Sequence, residues 1–65
     1  MLRMLEVVGS SKEGFTEATK QAIDHLASKN EKIHFFQMID HRGSVKNGAI
    51  SEFQVILKVA VEDQK

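Results

Sequence analysis

The chain has 65 residues, nine Lys plus Arg against nine Asp plus Glu, and no Cys. Zero formal charge argues against the basic face of a general nucleic-acid binder and against a polybasic membrane-surface binder. Without cysteine there is no disulfide and no thiolate zinc site, so a lone domain (1–65) of this size is expected to gain its extra support by self-association.

Met1 to Val8 is apolar-rich but carries Arg3 and Glu6, and it is too short for a signal or a membrane span. A soluble, cytoplasmic chain is the expectation. Leu5 and Val7 share one face of a first strand, Arg3 to Val8, with Met4, Glu6 and Val8 on the other. Gly9-Ser10-Ser11 then reads as its break. Ser10 and Glu13 have capping-box spacing, and Gly14 with Glu17 is a second candidate cap. The reading favoured is a turn over Ser11 to Gly14. Ser10-Ser11 beside Gly9 would also suit an anion site, but a plain cap is far commoner.

Phe15 to Lys29 is the one segment with helical periodicity. Phe15, Ala18, Ala22, Ile23 and Leu26 fall on one stripe, with Glu17, Lys20, Gln21, Asp24 and His25 opposite. Two alanines in the stripe predict close approach to a sheet. Lys29 suits the last turn, and Asn30 can take the left-handed conformation after it.

Ile33 to Asp40 reads as a second strand, followed by a turn-rich run from Gly43 that ends in the strong turn pair Asn47-Gly48. Ala49 to Glu62 is the clearest strand of all. Phe53, Val55, Leu57, Val59 and Val61 alternate with Glu52, Gln54, Ile56, Lys58 and Glu62. The order is β-α-β-β, an α+β protomer with a three-stranded antiparallel sheet around one helix. Five large apolar side chains on the odd face of the third strand fix its register against the helix stripe.

One helix covers only one face of such a sheet. Strand parity puts Ile33, Phe35, Gln37 and Ile39 on one side of the second strand and His34, Phe36 and Met38 on the other. Both sets are apolar-rich. The uncovered face is therefore expected to be an interface between copies, a ligand platform, or both.

No catalytic signature is present in the sequence. There is no Cys nucleophile, no glycine-rich phosphate loop followed by Lys, and no N-terminal proline of the kind small β-α-β tautomerases use as a base. The three histidines do not converge within one protomer. His25 lies on the polar side of the helix, and His34 and His41 have opposite parity, so no metal site is expected. Glu52, Glu62 and Asp63 read as a solvated charged strand end without an EF-hand pattern.

At this point the ordered set Val8-Gly9-Ser10-Ser11, Phe15-Thr16-Glu17-Ala18, Ala22-Ile23-Asp24, Arg42-Gly43, Asn47-Gly48 and Phe53-Gln54-Val55-Ile56-Leu57-Lys58-Val59 resembles the dodecin family over nearly the whole chain. The resemblance implies a β-α-β-β protomer assembled as a hollow homododecamer. It further implies a non-enzymatic protein that stores or buffers riboflavin-type flavins, FMN in some members, stacked in pairs across a two-fold axis. Some members also hold coenzyme A. The family's stacking residue is a Trp on the second strand and its polar partner a Gln on the third. Here the Gln position matches Gln54 and the Trp position matches Phe35, in a chain with no Trp. Arg42 matches a position where relatives often carry Arg; it would meet a flavin phosphate or form a surface ion pair. The alternative implied is a dodecin-like structural oligomer that has lost the flavin and holds ions or another ligand.

Overall fold

The structure, a computed structural model, describes residues 1–63. Its elements run β1 (Leu2–Ser11), α1 (Phe15–Ser28), β2 (Ile33–Lys46) and β3 (Ala49–Glu62). The sheet is ordered β1-β3-β2, with both pairings antiparallel. The expected β-α-β-β fold is the one found.

The strand with the strongest alternation sits in the middle. Val55, Leu57, Val59 and Val61 on β3 are fully buried, and Ala18, Ala22 and Leu26 of the helix stripe close over them. Leu5, Val7, Ile23 and Ile33 pack around this core. Each fully buried Val or Leu of β3 contributes roughly 1.5–3 kcal/mol by leaving water.

Gly9 does not break β1, as the sequence suggested; the strand runs on to Ser11, and Gly9 pairs with Val55. The reason is the helix. A Cβ built at Gly9 would overlap the Ala18 carbonyl oxygen and lie 2.9 Å from Ala22 Cβ. Gly9, Ala18 and Ala22 together let helix and strand backbones nearly touch. The capping box is also absent: the Glu13 backbone N–H donates to Ser11 Oγ at 3.0 Å, and the helix starts after Gly14 with no side-chain cap. The favoured start at Phe15 stands. At the far end Lys29 caps the helix and Asn30 has φ 64°, the left-handed turn expected.

β2 runs six residues beyond the predicted Asp40, to Lys46. Asn47 (φ 54°) and Gly48 (φ 77°) alone make the turn, both at the positive φ a type I′ hairpin needs. Two 14-residue strands at ~3.3 Å per residue reach ~46 Å, matching the 49 Å long axis of the molecule. The radius of gyration is 13.2 Å, above the ~11 Å of a compact domain this long. The hairpin projects past the helix, leaving Val45 and Ile50 exposed.

Candidate functional site

The helix lies on β1 and β3 and barely reaches β2. Both faces of β2 are therefore open. Its register against β3 shifts at Ile33/Phe35, at Met38/Asp40 and at Ser44/Val45. These bulges overturn the simple parity reading. Ile33 pairs with Val61 and packs on the helix-side core, not on the face of Phe35. Phe36 pairs with Val59 and Met38 with Leu57, so they face the helix side. There, with Thr16, Lys20 and Ile23, they line a groove of about 490 Å³.

On the other side, Phe35 pairs with Ala60, Gln37 with Lys58, Asp40 with Ile56 and Arg42 with Gln54. Paired residues share a face, so all of these belong to the face the helix leaves bare. Phe35 keeps 53% of its surface exposed. From β1 the same face receives Leu2, Met4, Glu6 and Val8, opposite Glu62, Ala60, Lys58 and Ile56. Ala60 lies between Met4 and Phe35 and is fully buried.

Gln54 is held on this face by its neighbours in the chain. Val55 is buried on the helix side, and Phe53 meets Phe15 edge to face with ring centroids 5.0 Å apart. His41 meets the same Phe15 ring at 5.0 Å, which turns the next residue, Arg42, to the outer face. There Arg42 Nε donates to Gln54 Oε1 at 3.0 Å. Gln54 Nε2 in turn donates to Glu52 Oε1 at 3.0 Å. Parity alone would have set Arg42 apart from Phe35; the Met38/Asp40 bulge brings it to the same side.

Of the three predicted site residues, the structure joins Arg42 and Gln54 directly. It does not bring Phe35 to them. Their rows are six β3 residues apart, Gln54 to Ala60, which is ~20 Å along a strand. The sequence reading missed Glu52, taken for a solvated strand end. The available signal was its i, i+2 spacing to Gln54, which puts the two on one face.

The histidines occupy separate places. His34 Nε2 lies 3.0 Å from Glu62 Oε1, and Lys32 Nζ is 3.8 Å from the same oxygen. The hydrogen bond from His34, then the charge of Lys32, hold the Glu62 carboxyl below its ordinary value of 4.5. Among the described residues no three His, Asp or Glu side chains gather as a metal site would require. Among them, too, no helix is long and apolar enough to cross a membrane.

A model of the Dodecin family matches residues 1–62. The chain belongs to the dodecin family. Dodecins are flavin-binding dodecamers and are not enzymes. The dodecin of Thermus thermophilus is 28% identical over 57 residues, covering 88% of this chain and 83% of the relative. Among solved dodecins, that of Streptomyces davaonensis superposes with a TM-score of 0.90 at 28% identity, over 98% of this chain and 96% of the other. The Streptomyces coelicolor dodecin gives 0.92 at 27% identity, over 100% and 94%. A variant of the Thermus thermophilus dodecin with Phe in place of a Trp also gives 0.92, at 26% identity over 100% and 97%.

Proposed function

We propose that this chain binds a flavin, riboflavin or FMN, without chemical turnover, and sequesters it in a homododecameric shell. Phe35 stacks on the isoalloxazine face, Gln54 reads the ring edge, and Arg42 meets the phosphate when FMN is the ligand. The observation that carries this reading is the open face of β2 and β3. An exposed phenyl and a paired amide–guanidinium share it, with no element among the described residues over them. Because the two lie ~20 Å apart, each ring site takes its phenyl from one copy and its amide from another. A flat, half-polar ligand between copies also suits a surface that would otherwise expose Leu2, Met4, Val8 and Phe35.

Phenyl offers the ring a smaller stacking face than indole, and aromatic pairing contributes ~0.5–1.5 kcal/mol beyond area burial. Phe35→Trp is therefore expected to tighten riboflavin binding roughly tenfold, one step of ~1.4 kcal/mol. Quenching of flavin fluorescence by the purified particle, titrated for both proteins, makes the test. Unchanged emission for the natural protein and for Phe35→Trp at micromolar concentration would remove the flavin from the account. The second reading, a structural oligomer that has turned the site over to ions or another ligand, is favoured by the sequence's lack of any Trp. It expects a colourless particle of full size that Phe35→Trp does not convert.

A further inference from the structure

Gln54 is an unusual ligand-reading amide because both of its ends are already engaged. Arg42 Nε donates to Oε1 at 3.0 Å, and Nε2 donates to Glu52 Oε1 at 3.0 Å. The chemistry of the partners fixes which end is which. A guanidinium can only donate and an ionised carboxylate can only accept. Turning the amide over would set N–H against N–H and oxygen against oxygen. After these two bonds one acceptor site remains on Oε1 and one N–H on Nε2. They sit side by side in a fixed order.

We infer that Glu52 is a positioning residue: through the Glu52–Gln54–Arg42 chain it locks the amide in the one polarity that matches an imide edge, where a ring N–H lies beside a carbonyl. This deepens the flavin reading and rests on it, since the pyrimidine edge of isoalloxazine is such an imide. Ligands with that edge are selected, and flat heterocycles without it are not. Glu52 does this without touching the ligand. It is placed by strand pairing: it lies opposite Ser44 and two residues from Gln54 on the same face. Phe53 between them is anchored on Phe15.

The test compares riboflavin with riboflavin methylated on its imide nitrogen, by fluorescence quenching on the assembled protein. The wild type should prefer riboflavin about tenfold, the loss of one well-aligned hydrogen bond from a desolvated site. Glu52→Ala should weaken riboflavin binding about fivefold and shrink that preference to under threefold, because the amide is then held by Arg42 at one end only and can swing about that single bond out of line with the imide edge. Glu52→Thr, a β-favouring residue too short to reach Nε2, should do the same, and it keeps the test standing if the alanine variant does not assemble. Glu52→Gln still offers an oxygen to Nε2 and should restore both affinity and preference to within threefold of wild type. Alanine and threonine variants that assemble and retain the full preference would overturn the role of Glu52 and leave the flavin reading intact. So would a glutamine variant as impaired as alanine. A wild type that binds neither flavin would overturn both.

Discussion

Replacing Gly9 by Ala adds one methyl group, and the structure says where it goes. It would overlap the Ala18 carbonyl oxygen, with the Ala18 carbonyl carbon 3.2 Å and Ala22 Cβ 2.9 Å away. The first two are backbone and the third has no rotamer to change. Relief requires the whole helix to move off β1, which uncovers part of Val55, Leu57 and Val59. Overpacking a core costs about 1–3 kcal/mol, occasionally more, and a clash with helix backbone belongs at or above the top of that range. Total stability for a chain of this length is of the order of 3–10 kcal/mol, so a loss of ~3 kcal/mol removes about 30% of it or more. Two other glycines give the scale. At Gly48 (φ +77°) nothing lies within 4 Å of a built Cβ, so Gly48→Ala carries only the left-handed strain, about 1–2 kcal/mol. At Gly14 the near atom is Glu17 Oε1 at 2.8 Å, the end of a side chain that can swing away, so the loss there should be under ~1 kcal/mol. Urea unfolding of all three variants at one protein concentration should rank the loss Gly9 above Gly48 above Gly14. A Gly9→Ala protein within ~0.5 kcal/mol of wild type would refute the close approach of helix and β1, and with it the reason β1 continues to Ser11.

Leu57 is the largest fully buried side chain, so Leu57→Ala should lose ~2–5 kcal/mol in urea unfolding, while Leu57→Met should lose under ~1.5 kcal/mol. Glu62 titrates below 4.5 in the folded protein because His34 donates to it and Lys32 lies beside it. A depressed carboxylate pKa contributes stability that is present above the unfolded value and lost as pH falls through the folded one. Unfolding free energy measured from pH 6 down to pH 3 should therefore fall less steeply below about pH 4.5 in Glu62→Gln than in wild type, and a parallel slope would show that the His34 contact does not favour the folded state.

The parts legible in the sequence are those where one residue's chemistry settles one local choice. Strict alternation from Phe53 to Val61 gave the central strand and its buried face. Asn47-Gly48 gave the hairpin turn, and the alanines of the helix stripe gave the close packing. The end of β1 is not legible, because a glycine inside a strand has the character of a breaker, while the role of Gly9 is to let a second backbone in. The full length of β2 is implied by the turn. A two-residue turn after Lys46 obliges Lys46 to pair with Ala49, and the pairing then carries back through Gly43. The bulges were not readable. Nothing in the composition of Ile33 to Asp40 marks the extra residues, yet they decide which side Ile33 and Arg42 take.

That dependence bears on why the candidate site sits where it does. The helix must stay close to β1 and β3, because its contact stripe is built of Ala18 and Ala22 against Gly9. Small residues shorten its reach, so it cannot also cover β2. An edge strand with Phe36 and Met38 open on one face and Phe35 open on the other can be sheltered only by something outside the protomer. The outward phenyl lies on the row of Ala60 and the outward amide on the row of Gln54, near opposite ends of the sheet, ~20 Å apart. One ring cannot bridge that span, but a neighbouring copy can bring a second phenyl to the first amide. On this reading the binding site is a property of the assembly, because its phenyl and its amide come from different copies. A change that moved the helix toward β2 would cover Phe36 and Met38 and leave Phe35, Arg42 and Gln54, on the opposite face, as open as before.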